Sequence, residues 1–193
     1  MIYTDLETWQ LFKSGDTRGF DLLYRRYSQF LYGYGMKICA DEEIIRDMIH
    51  DLFVDLWSRS GQLPDLHNIK SYLFKALRNK LLKRMSIKKI RGIEELPDNT
   101  FSLVISHEIS IIQNEEDKLI QTRLQKALDK LTEHQREILY LKFNEGLNYN
   151  DIAEITQINY QSVVNIIYRT INVLRKNMGL SLAALLSLLS KLG

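Results

Sequence analysis

The chain has 193 residues, 45% of them hydrophobic and 26% charged, with a formal net charge of +2. That length admits one large domain or two small ones, and the hydrophobic content is enough to bury a core, which excludes wholesale disorder. Only two prolines and nine glycines are present, which favours long helices over a turn-rich β protein. The single cysteine, Cys39, has no internal partner for a disulfide, so a reducing, cytoplasmic setting is expected. The opening MIYTDLETWQ lacks a basic stretch followed by an apolar run, so no signal peptide is expected. No apolar stretch reaches the roughly 20 residues needed to span a bilayer.

In chain order, residues 1–92 are expected to form several helices. Leu22, Leu23, Tyr27, Phe30, Leu31 and Tyr34 recur at helical spacing, as do Ile44, Ile45, Met48, Ile49, Leu52, Phe53, Leu56 and Trp57. Asp41 suits the N-cap of the second of these helices, and Gly61 and Pro64 punctuate its end. A third helix is predicted from about Ile69, with Tyr72, Leu73, Ala76, Leu77, Leu81 and Leu82 on one face. Residues 93–116 carry Pro97, the Asp98-Asn99 pair and acidic residues at both ends; a linker is expected, with a short helix around 104–111. In residues 117–178, Leu119, Leu124, Ala127, Leu128 and Leu131 mark one helix. Thr132 then stands three residues before Gln135, a capping-box spacing that opens another helix through Ile138, Leu139 and Leu141, with Gly146 at its end. The tail, 179–193, is apolar, with Leu182, Leu185, Leu186 and Leu189 on one helical face; it is expected to pack on the preceding domain or to bind a regulator. The expected fold class is therefore all-α, with two small helical domains joined by a linker.

The strongest local signal lies between Tyr149 and Leu174. A short helix at 150–155, a turn at Thr156-Gln157-Ile158 and a longer helix capped by Asn159 have the anatomy of a helix-turn-helix. Small Ala153 suits a close helix crossing, and Ile158 suits an inward position in the turn. On the longer helix Val163, Ile166, Ile167, Ile171 and Leu174 form an apolar stripe, and Gln161, Asn165, Arg169 and Asn172 a polar one. Tyr160 and Ser162 lie near its N-terminal end. Amides pair with adenine and guanidinium with guanine in the major groove, so this face suits sequence reading. A solvated face on an ordinary helical hairpin is the plainer alternative.

Between Lys70 and Arg91 the basic residues are Lys70, Lys75, Arg78, Lys80, Lys83, Arg84, Lys88, Lys89 and Arg91, with no Asp or Glu among them. With Tyr72 and Phe74 interleaved, this helix suits a nucleic-acid backbone and stacking on exposed bases; a solvated helix or a membrane-surface helix fits as well. Asp47, Asp51 and Asp55 fall at steps of four on one helix. Like charges at that spacing repel, so the face either meets something basic or stays in solvent. Phe53 and Trp57 suit the core better than a contact. The four histidines, His50, His67, His107 and His134, lack metal-ligand spacing, and no GK[ST] follows Gly15. No nucleophile, base and oxyanion donor assemble into a site, so neither enzymatic activity, metal nor cofactor is expected.

Together these segments resemble the extracytoplasmic-function sigma factors of the sigma-70 family, over nearly the whole chain. KSGDTRGFDLLYRRY, residues 13–27, looks like that family's first helix, G-D-x-x-A-F-x-x-L-Y-x-x-Y, with Gly19 for the usual Ala. DMIHDLFVDLW, residues 47–57, is similar to D-x-x-Q-E-x-F-x-x-L-W, with His50 for Gln and Asp51 for Glu. IKSYLFKALRNKLLKRM, residues 69–85, resembles the next helix, with its characteristic Asn at Asn79. Residues 131–176 are similar to the C-terminal module through Q-R-E, E-G, I-A-E and the closing L-R, with Gln157 for a common Gly in the turn.

The resemblance implies a sigma-two domain at 1–92, the linker at 93–116 and a sigma-four domain at 117–178. It implies docking of the first domain on the β′ coiled coil of core RNA polymerase through Asp47, His50, Asp51 and Phe53. It implies melting and holding of the −10 element through Lys70, Lys75, Arg78, Asn79 and Lys83. The second domain would read the −35 element through Tyr160, Gln161, Ser162, Asn165 and Arg169, and touch the β flap. An anti-sigma factor is a further implied partner. Two other readings stay open at this point: a helix-turn-helix regulator outside the polymerase holoenzyme, and a helical adaptor without DNA contact.

Overall fold

Thr4 opens the first helix with a capping box: its hydroxyl accepts from the Glu7 amide at 3.3 Å, and Glu7 accepts from the Thr4 amide at 2.7 Å. In the computed structural model, residues 3–90, 101–103, 115–179 and 181–189 are described, and among them all regular structure is helical. The chain divides into two compact units, Met1–Asp98 and Asn99–Gly193.

The first unit holds α1 (Asp5–Lys13), α2 (Thr17–Ile38), α3 (Glu42–Ser58), a 3₁₀ turn (Ser60–Gln62) and α4 (Ile69–Ile90). The helix start resembling the family's first helix therefore straddles two elements, the end of α1 and the first half of α2. Asp16 and Asp41 cap α2 and α3, Asp41 accepting from the Glu43 and Ile44 amides. Such caps satisfy amides that the helix itself leaves unpaired, at about 1 kcal/mol each.

The bundle closes on an aromatic-rich core. Trp9 and Phe12 of α1 stack at 5.6 Å, and Phe12 meets the edge of Trp57 at 5.4 Å. Leu23, Leu31 and Tyr34 of α2, Ile45, Leu52 and Leu56 of α3, and Leu73, Leu77 and Leu81 of α4 are buried between the helices. The Trp9 indole donates to the Pro64 carbonyl at 3.0 Å. Lys13 and Gln10 both donate to Asp65, and those hydrogen bonds, Lys13 first, hold its carboxyl below the usual carboxylate range. These contacts lay α1 on the loop ahead of α4.

The second unit holds α5 (Glu115–Asp129), α6 (Glu133–Phe143), α7 (Tyr149–Thr156), α8 (Tyr160–Met178) and α9 (Leu182–Leu189). α8 is its spine, packed on α5, α6, α7 and α9. Thr132 and Gln135 form the expected capping box. Past α6, Gly146 is left-handed (φ 68°), and the Leu147 amide reaches back to the Leu141 carbonyl at 3.1 Å. Glycine reaches that left-handed turn without a steric penalty.

Residues 101–103, inside the stretch expected as linker, pack into this unit. Phe101 and Leu103 are buried. The buried Arg136 donates to the Phe101 carbonyl and the Leu131 carbonyl, each at 2.9 Å. Glu133 accepts from the Phe101 amide, and Gln125 donates to the Leu103 carbonyl. The tail forms α9, whose Leu185 and Leu189 are fully buried, and it packs on α6 and α8. The short helix expected at 104–111 lies outside the described residues.

Candidate nucleic-acid interface

In α7 and α8 the chain builds its most defined surface. Asn148 caps α7, accepting from the Asp151 amide at 2.9 Å. The helix stops at Gln157, which is left-handed (φ 59°), and the Gln157 and Ile158 amides both turn back to the Ala153 carbonyl. Asn159 then caps α8 through the Ser162 amide at 2.8 Å. The buried stripe of α8 is Val163, Ile167, Thr170, Leu174 and Met178. Ile166 and Ile171 of the expected apolar stripe are half-buried flanks, and Thr170 takes a place in its centre.

The opposite face carries the predicted reading residues. Gln161, Asn165 and Arg169 are exposed, and Gln161 donates its amide to Asn165 at 3.3 Å. Tyr160 is about half exposed and meets the edge of Tyr149 at 6.1 Å. Lys142 stands over the Tyr149 ring at 4.7 Å. Ser162 is half-buried, and its amide serves the Asn159 cap. Tyr168, which sequence reasoning passed over, is 70% exposed on the same side of α8.

On α4 the five predicted −10 residues separate. Lys75, Asn79 and Lys83 fall at steps of four, so they line one side of the helix; Asn79 and Lys83 are exposed and Lys75 half-buried. Lys70 instead lies over the rings of Phe30 and Phe74, at 4.7 and 5.7 Å. Arg78 is buried, on the side that faces the bundle, which removes it from the exposed basic face. Phe74 was expected to stack on bases; it is fully buried against Tyr34, ring centres 4.8 Å apart. Tyr72 is half-buried with its ring edge-on to Trp9. α4 packs on α2 and α3, so its inward positions belong to the core whatever their residue type. Phe30 of α2, 48% exposed beneath Lys70, is the accessible aromatic of this region.

On α3, Asp47, His50 and Asp51 are exposed on one face with Val54. Asp55 forms an ion pair with Lys80 of α4, so part of the acidic stripe meets a base within the same unit. Phe53, implied as a polymerase contact, is 1% exposed, edge-on to Tyr24 at 5.0 Å and Phe20 at 6.0 Å. It is a core residue that holds α3 against α2. Val54 and Tyr24 are the apolar groups that do reach the surface nearby. Among the described residues no group of three or more His, Cys, Asp or Glu is placed to hold a metal ion.

A capped helix-turn-helix with an amide- and guanidinium-bearing outer face, carried on an all-helical chain with a second basic helix, defines a DNA-binding protein. Comparison with known proteins narrows this. Residues 23–89 match Sigma-70 region 2, and residues 121–172 match Sigma-70, region 4, together more than half of the chain. RNA polymerase sigma factor SigV of Bacillus subtilis is 24% identical over 149 residues, 77% of this chain and 84% of that protein. ECF RNA polymerase sigma factor SigK of Mycolicibacterium vanbaalenii is 21% identical over 169 residues, 86% of this chain and 85% of that protein.

Two solved structures share the fold. The sigma factor RpoE from Bartonella quintana, crystallised with the anti-sigma factor NepR, gives a TM-score of 0.59 at 20% identity, covering 84% of this chain and 98% of that one. CnrH, in complex with the cytosolic domain of CnrY, gives 0.57 at 20% identity, covering 95% and 97%.

The chain belongs to the sigma-70 family, among its extracytoplasmic-function sigma factors. It binds core RNA polymerase and directs promoter recognition and the start of transcription. No helix among the described residues is long and apolar enough to cross a membrane.

Proposed function

We propose that three surfaces divide this work, in the cytoplasm and without catalytic chemistry of the chain's own. The α8 face, with Tyr160, Gln161, Ser162, Asn165 and Arg169, enters the major groove of the −35 element. The α4 face, with Lys75, Asn79 and Lys83, follows the backbone and the melted strand at the −10 element. Lys70 acts beside it, from its seat on Phe30. The α3 face, with Asp47, His50 and Asp51, docks on the β′ coiled coil, and the second unit touches the β flap. The domains implied by the resemblance, 1–92 and 117–178, carry these surfaces, with residues 101–103 fastened to the second. A further partner is an anti-sigma factor, a reading supported by the shared fold of RpoE, which was crystallised with the anti-sigma factor NepR.

The single observation that carries this reading is the α8 face: Gln161, Asn165 and Arg169 stand exposed on a helix whose other side is sealed into a capped helix-turn-helix. Base-edge contacts specify and phosphate contacts position. Asn165→Ala is therefore expected to relax sequence preference, and Arg169→Ala to weaken promoter binding overall. The test is transcription in vitro with core polymerase on a genomic template, with start sites mapped for the parent and both variants. A chain that fails to associate with core polymerase, or an Asn165→Ala variant with the parent's promoter profile, would overturn it.

A further inference from the structure

Among the described residues Tyr168 is the most exposed of the large apolar side chains, at 70%, although it sits mid-helix in the best-packed element of the second unit. It follows Asn165 by three residues and Gln161 by seven, so the three share one helical face. Side chains on a helix lean toward its N-terminus, which carries the Tyr168 ring over the turn that holds Asn165. The ring therefore joins the half of α8 that faces bases.

Apart from Tyr160 at the N-terminal end of the helix, whose ring meets Tyr149, the rest of that face is chemically one-sided. Gln161, Asn165 and Arg169 offer amides and a guanidinium, which read hydrogen-bond donors and acceptors. The major groove also presents an apolar feature, the thymine 5-methyl group, which those side chains do not read. An aromatic ring placed beside them supplies the missing contact.

We propose that Tyr168 is a specificity residue of the −35 contact, its ring packing against the 5-methyl group of a thymine. This rests on the reading of α8 as the recognition helix. It adds a residue and a base feature that the motifs did not assign.

The test uses holoenzyme assembled from the full chain. The probe is a fluorescently labelled duplex carrying a −35 element mapped by start-site analysis, with each thymine in turn replaced by uracil, which removes only the methyl group. For the parent, uracil at one position is expected to weaken binding about three- to five-fold, the value of one buried methyl group. Tyr168→Ala is expected to weaken binding to the thymine duplex by a similar factor and to bind thymine and uracil duplexes equally. Tyr168→Phe is expected to keep the parent's discrimination.

Several results would overturn the proposal. One is a parent indifferent to every uracil substitution. Another is a Tyr168→Ala protein that still discriminates. A third is a Tyr168→Phe protein as weak as Tyr168→Ala, which would assign the role to the hydroxyl on a phosphate. A fourth is normal duplex binding by Tyr168→Ala with loss of core association, which would make the ring a protein contact. Asn165→Ala is run alongside. If it too leaves sequence preference unchanged, the recognition-helix reading fails; if it alone changes preference, only the Tyr168 proposal fails.

Discussion

At position 19 a Cβ would stand 2.3 Å from the Phe12 backbone nitrogen and 2.7 Å from the Leu11 carbonyl carbon. The family resemblance offers Ala here, but in this chain the end of α1 runs directly over α2 and leaves no room for a methyl group. Gly19→Ala is expected to destabilise the first unit by about 3 kcal/mol, because backbone rather than a side-chain tip must move. Both tryptophans, Trp9 and Trp57, lie in that unit, so a lower denaturant midpoint of their fluorescence is the measurement. Gln157 is the converse case. Its left-handed backbone (φ 59°) strains a residue with a Cβ. Gln157→Gly is expected to stabilise the second unit by about 0.5–1 kcal/mol, the relief of strain outweighing the entropy of glycine. A rise in the midpoint of the circular-dichroism transition that tryptophan does not report checks it. The resemblance named both positions as departures; only the neighbouring backbone shows that one is a necessity and the other a cost.

Among the elements, the caps were legible because each needs only a few adjacent residues: Asp41 on α3, Thr132 with Gln135 on α6, Asn159 on α8. The Thr4–Glu7 box was equally present in the sequence, yet α1 was not separated from α2, because the family motif spans their junction. The strap at 101–103 was illegible. Phe101 and Leu103 sit among turn residues, and what orders them is Arg136, some 35 residues away along the chain. Arg136→Ala is expected to cost about 2–3 kcal/mol, since two carbonyls held by a buried charged donor lose it. The expected readout is a lower midpoint for the second unit with the tryptophan transition unchanged. An unaltered second-unit midpoint would mean that the strap contributes nothing to stability.

Across the whole molecule, a buried phenol in each unit, Tyr27 in the first and Tyr140 in the second, has its ionisation suppressed. Burial, then the hydrogen bond to Asp5, pushes Tyr27 far above the ordinary tyrosine value; burial, then the charge of Glu145, does the same for Tyr140. Both groups keep their proton in the folded chain where the unfolded chain loses it. Their contribution is therefore full below the unfolded value of about 10 and is lost as pH rises above it toward the folded values. Stability is expected to be lower at about pH 11 than at about pH 8, and Tyr140→Phe to flatten that decline for the second unit. Denaturant titrations at the two pH values, with tyrosinate absorbance followed in parallel, provide the check. Equal stability at both would remove the effect.

By itself the amino-acid sequence determined the all-helical class, most helix starts and the polar and apolar sides of α8. Periodicity and capping are properties of residues close in the chain, and a surface helix advertises them without reference to its neighbours. Which charged and aromatic residues reach solvent was decided by tertiary packing alone. Lys70, Lys75, Arg78 and Lys83 belong to one basic run in sequence, yet α4 turns Arg78 inward and leans Lys70 on Phe30, while Phe53 and Phe74 close the core. Burial depends on where other helices cross, and Tyr168 shows the same dependence in reverse. Its spacing puts Tyr168 with Gln161 and Asn165 on the polar side of α8, but only the helices packed around α8 decide that this side stays uncovered and the ring exposed.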